Sequence, residues 1–134
     1  MNLNLIKVLD KEGDAMLLNA DDFVCAHQRN EGGQNTDVNL GEEGRGAACG
    51  DSLDSIVSKI KAKLITLTLK KNVKDFDIGD GRIVLDPTKI KRLALGNDGK
   101  TVHLMFQNDI YVVEESMEKV LELIDQTGVE VSIV

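Results

Sequence analysis

Cys25 and His27 stand two residues apart in a stretch, Phe23 to Gln28, that reads as a strand, so their side chains share one face. With Cys49 and His103 they would supply four soft ligands of the kind zinc prefers. Their spacing matches no finger or ribbon, and a cysteine and a histidine on a strand are ordinarily packing and surface residues, so no metal is expected. As nucleophile and base the pair lacks a third group to orient the imidazole, and its two side chains point in parallel. The acid pairs Asp21-Asp22, Glu42-Glu43 and Glu114-Glu115 are sequence neighbours. In strands such neighbours point to opposite faces, so they read as solvated charge rather than as an acid and a base sharing one substrate. No catalytic residue and no cofactor is expected, and the chain is read as a non-enzyme.

The cations form a more suggestive pattern. Lysines gather at Lys59, Lys61, Lys63, Lys70, Lys71 and Lys74, and again with an arginine at Lys89, Lys91 and Arg92. Arg45 lies in Gly41-Glu42-Glu43-Gly44-Arg45-Gly46, which lacks the Gly-Lys-Ser/Thr ending of a phosphate loop and has no strand running into it. The ordinary reading is a flexible tip and solubilising lysine. The functional one is a small anion site for a nucleotide-like or phosphorylated ligand, drawn from Arg45, Lys63, Lys70, Lys71, Lys91 and Arg92, with Arg45 offering a charged fork from a closing lid.

These residues belong to a 134-residue chain of net charge -7, 42% hydrophobic and 29% charged, which suits one soluble domain that needs no staple. Sequence-indifferent nucleic-acid binding needs a basic face, and the net charge argues against it. No apolar run is long enough to span a membrane, and Met1-Asn2-Leu3-Asn4 lacks the pattern of a signal peptide, so a cytoplasmic protein with two free thiols is expected.

The elements that must position the candidate residues follow from local chemistry. Leu3 to Leu9 and Met16 to Asn19 read as a hairpin around Asp10-Lys11-Glu12-Gly13-Asp14, and Phe23 to Gln28 as the third strand of a meander. Residues 31–51 hold half of the 12 glycines and almost no large apolar residue, which predicts a long mobile loop. Asp51-Ser52 offers a cap to a short helix through Leu53, Ile56, Val57 and Ile60. Leu64 to Leu69 alternates as a strand, with a return strand at Val73 to Ile78. Arg82 to Leu85 and Ile90 to Leu95 flank a bend at Pro87. Asn97-Asp98-Gly99 is the strongest hairpin signal, leading into Thr101 to Phe106 and then Ile110 to Val113. Ser116 caps a helix whose stripe is Met117, Val120, Leu121 and Ile124; Gly128 stops it, and Val129 to Val134 alternates as a final strand.

Leu17 to Phe23 laid against Val84 to Ile90 brings Asn30-Glu31-Gly32 opposite Asn97-Asp98-Gly99. Skipping the glycine-rich segment and its helix sets Ile65 to Leu69 beside Val102 to Phe106, an internal repeat of 3–30 plus 64–78 with 81–124. Leu85-Asp86-Pro87 followed by Ile90, then Thr101 to Phe106, and Tyr111-Val112-Val113-Glu114-Glu115-Ser116 leading into Glu118 to Ile124 together resemble the FlbD-like family of small bacterial flagellar proteins. The resemblance covers residues 81–124, about a third of the chain, and implies an accessory role without catalytic residues.

The expected fold is α+β, a twisted antiparallel sheet from two related β-meanders in one domain, with a short middle helix and a C-terminal helix followed by a short strand. The expected role is that of a homo-oligomeric interaction or regulatory protein of bacterial or phage origin. The alternative is a module that sequesters an anionic small molecule.

Overall fold

The computed structural model describes residues 2–28, 35–42, 46–70 and 81–134. It is α+β, with antiparallel strands and two helices. Strands β1 (Leu5–Leu9) and β2 (Ala15–Asn19) form the expected hairpin, with Lys7 opposite Leu17. A 3-10 turn at Ala20–Asp22 follows, capped by the Asn19 side chain, which accepts the Asp21 N–H at 3.0 Å. This turn changes the partner of the next strand. β3 (Cys25–Gln28) does not continue a meander with β2; it pairs with β4 (Thr36–Asn39) on one side and β7 (Arg82–Leu85) on the other.

The segment read as a loop over 31–51 therefore contains two strands, β4 and β5 (Ala47–Cys49). Their residues are small or polar, so composition hid them. Thr36, Val38 and Cys49 are nevertheless buried, because the neighbouring strands satisfy their backbone groups and the core covers one face. Helix α1 (Leu53–Val57) follows, with Ser52 accepting the Ser55 N–H.

The second half runs through β6 (Ile65–Thr68), β7, a 3-10 turn at Pro87–Lys89, β8 (Arg92–Leu95), β9 (Val102–Met105), β10 (Ile110–Val113) and α2 (Met117–Gln126). Pro87 opens its turn, where a missing N–H does no harm. Gly99, at φ 69°, makes the β8–β9 hairpin, as its turn chemistry predicted. Ser116 caps α2 by accepting the Lys119 N–H, and Gly128, at φ 85°, ends it. Residues 129–134 form no strand, correcting the expected terminal one. The return strand expected at 73–78 lies outside the described residues.

The order strand, strand, 3-10 turn, three strands, helix thus occurs twice, in a first unit over 5–57 and a second over 65–126. The correspondence extends to single bonds. Asp86 caps the second 3-10 turn through the Thr88 N–H as Asn19 caps the first. Asp10 bridges to Cys49 as Leu69 does to Val113, and the Gly50 N–H donates to Leu9 as the Glu114 N–H donates to Thr68. In this succession β6 answers to β1, and the strand answering to β9 is β4, inside the segment expected to be an insertion.

The five-stranded sheet β5-β4-β3-β7-β6 runs through both units, while β8-β9-β10 and β1-β2 form smaller sheets. Two apolar clusters result, and each borrows from the other unit. Val24 and Cys25 pack with Leu67, Leu85, Leu104 and Val120, whereas Val84 packs with Ala26, Val38, Leu53 and Ile56.

Candidate functional site

The seam between the units holds a network of partly buried polar groups. Asn39 ends β4 and is 7% exposed. Its amide nitrogen donates to Asp109 at 2.8 Å and to the Tyr111 hydroxyl at 3.3 Å, while its oxygen accepts the Gly41 N–H at 2.8 Å. Tyr111 meets His27 and Phe106 edge-on, at ring separations of 6.2 and 5.9 Å.

Cys25 lies beneath this network and is fully buried. Its thiol is pushed up to about 12, chiefly by burial and further by the nearby Asp109 carboxylate, against the opposing hydrogen bond with Tyr111. The Tyr111 hydroxyl is raised too, by burial first and then by Cys25. Cys49 is also buried, and burial together with Asp51 and Asp37 lifts its thiol to about 11. A nucleophilic cysteine needs the reverse, a thiolate held at low pKa by neighbouring positive charge. The His27 imidazole stands 3.9 Å from Asp37. Among the described residues no three histidine, cysteine, aspartate or glutamate side chains are placed to share a metal ion.

Sequence patterns alone did not point to this seam. Asn39 lay in a stretch whose composition read as loop, and Asp109 as part of a turn. Tyr111, the chain's one tyrosine, was the only signal on offer.

Beside the seam a groove of about 260 Å³ opens between the units. Val24 and Phe106 give it apolar surface; Lys89 and Lys91 bring cations, Asp22 an acid, and Asn108 a side-chain amide. The Lys89 ammonium donates to the Asp21 carbonyl at 3.1 Å, and the Asn108 amide ties the two units by donating to the Gly41 carbonyl at 2.8 Å.

Of the six cations proposed for an anion site four are described, Lys63, Lys70, Lys91 and Arg92, and of these Lys91 alone lines this groove, together with nearby Lys89. Arg92 begins β8 and is exposed. Lys70 pairs with Asp98 at 3.6 Å, on the β8–β9 turn. Lys63 reaches the end of α2, where a β-carbon at Gly128 would stand 2.9 Å from its ammonium nitrogen. It there faces the helix's negative pole, a structural use for a lysine. Arg45 and Lys71 lie outside the described residues. The described cations that cluster in sequence are thus distributed over different surfaces.

A second surface is apolar. On the outer face of the β1–β2 hairpin Leu5, Leu9 and Leu17 are exposed, Leu17 by 62%. No described helix is long and apolar enough to cross a membrane. No family model, curated protein or solved structure matches this chain.

Proposed function

We propose that this protein is a non-catalytic, homo-oligomeric interaction protein, in keeping with the accessory role that its FlbD-like stretch implies. The observation that carries the reading is the leucine face of the β1–β2 hairpin. Leu5 and Leu9 on β1 flank Lys7, which stands opposite Leu17 on β2, so the three leucines share one face of a rigid pleat around a single lysine rather than being scattered exposures. The buried, high-pKa Cys25 and Tyr111 support the non-catalytic part, since neither is poised to lose a proton near neutrality. Light scattering on a sizing column tests the reading. A mass that is a multiple of 14.7 kDa is expected, and a clean monomer at high concentration refutes it.

The groove favours a second reading, capture of a small anion with an apolar body by Lys89 and Lys91 above Phe106. A thermal-shift panel of nucleotides and aryl carboxylates should then stabilise the protein, and Lys91→Glu should abolish the shift. A flat panel removes this reading and leaves the first intact.

A further inference from the structure

The two units are joined by an antiparallel ladder between β3 of the first and β7 of the second, with Cys25 opposite Leu85, Ala26 opposite Val84 and His27 opposite Ile83. Because the units share one order of elements, the two strands of this joint each have a counterpart. β8 stands in the second unit where β3 stands in the first, and β2 stands in the first where β7 stands in the second. Among the described residues β2 pairs only with β1, and β8 only with β9. Among the described residues both halves of the same joint are therefore left unpaired, one on each unit.

We propose that β8 of one copy pairs with β2 of a second copy, repeating between chains the joint that each chain already contains. The proposal rests on the oligomeric reading above and specifies its contact. Transposing the internal register sets Arg92 opposite Leu18, Leu93 opposite Leu17 and Ala94 opposite Met16.

Three observations favour this occupant. The first is burial. Val84, the counterpart of Leu17, is 5% exposed because the first unit's Ala26, Leu53 and Ile56 cover it, whereas Leu17 is 62% exposed. The same position is covered in one unit and bare in the other, and it is apolar in both. The second is fit. Leu93 and Leu95 lie on one face of β8, and the transposed ladder continues that face across Leu17 and Ala15, with Ala15 already opposite Leu9 on β1. The third is charge. Residues 1–57 hold 11 acidic and 4 basic residues, while residues 58–134 hold 12 of each. The first unit carries the whole net charge, and two copies brought together by that unit alone would repel. The strand offered by the second unit begins with the exposed Arg92, and β2 belongs to the acidic unit. Such a contact is head to tail, so it builds a ring if the rotation closes and a filament if it does not.

Leu17→Cys and Leu93→Cys, purified separately and oxidised mildly, test it. Cys25 and Cys49 are buried and should remain silent. The mixture should yield a disulfide-linked dimer, since directly opposed strand residues come within bridging reach, and neither variant alone should. Self-linking of Leu17→Cys would indicate a face-to-face contact and overturn the proposal. So would a double variant that links within one chain. Leu17→Lys, exposed within one chain, should keep the wild-type circular dichroism spectrum and return the mass to 14.7 kDa; an unchanged mass overturns the proposed face. An assembly that resists every cross-link defeats the proposed joint but leaves the oligomeric reading standing, whereas a wild-type monomer defeats both.

Discussion

Glu115, immediately before the cap of α2, accepts the backbone N–H of Thr68 at 2.8 Å and its hydroxyl at 3.0 Å, tying the first strand of the second unit to the entrance of its helix. Asp51 holds the same place in the first unit, accepting the Leu9 N–H at 3.4 Å. One carboxylate thus closes each unit by joining its first strand to its last turn.

Glu115→Ala should destabilise the fold by about 1–2 kcal/mol, the range for a charge-assisted bond that is partly solvated. Asp51→Ala should cost less, since its bond is longer and hence weaker. Urea unfolding of both variants measures the difference, and an equal loss would mean that the two clamps are not graded by distance.

Asn39→Ala should cost about 1–2 kcal/mol, because it strips a donor from Asp109 and Tyr111 at once and leaves their half-buried oxygens without that partner. Asn39→Asp should be worse still, placing a second carboxylate against Asp109. A chemical-denaturation series ranks the three proteins, and an aspartate variant as stable as wild type would contradict an Asn39 amide that donates to both Asp109 and Tyr111.

The raised Cys25 thiol fixes a pH dependence. Below the unfolded thiol's ordinary value of 9.0 both states keep the proton, and this group leaves stability unchanged. Above it the unfolded chain releases a proton that the folded one retains up to about 12, so stability falls as pH rises through that window. The slope is about 1.4 kcal/mol per pH unit for one such group. Circular dichroism between pH 8 and about 11 should show this fall made shallower in Cys25→Ala, the remainder coming from Cys49, whose thiol is raised to about 11, and from Tyr111. Alkylation at pH 8 should leave Cys25 unmodified until denaturant is added.

Gly46→Ala should be strongly destabilising, since a β-carbon there would lie 2.6 Å from the Val38 carbonyl oxygen, backbone that cannot swing aside. Gly13, at φ 88°, faces open space, and Gly13→Ala should cost only the about 1–2 kcal/mol of the left-handed conformation. Paired thermal melts should rank Gly46→Ala below Gly13→Ala, and the opposite order would contradict the close approach of β5 to β4.

Local chemistry was legible throughout. The β1–β2 hairpin, the Asn97-Asp98-Gly99 turn, the bend at Pro87 and the Ser52 and Ser116 caps depend on residues within a few positions of one another, and all stand where the sequence placed them. β4 and β5 were illegible because Thr36, Asn39, Ala47 and Ala48 have little apolar surface of their own; adjoining strands make that stretch a sheet.

By itself the amino-acid sequence determined the α+β class, most element positions and the choice of cap and turn, since each follows from periodicity or from a side chain bonding its own neighbours. The tertiary structure alone decided that β3 leaves β2 for β7, that Asn39, Asp109 and Tyr111 meet, and that the described lysines disperse. Those outcomes depend on which surfaces two folded units press together, a relation between residues some 60 or 70 positions apart that no short-range preference encodes.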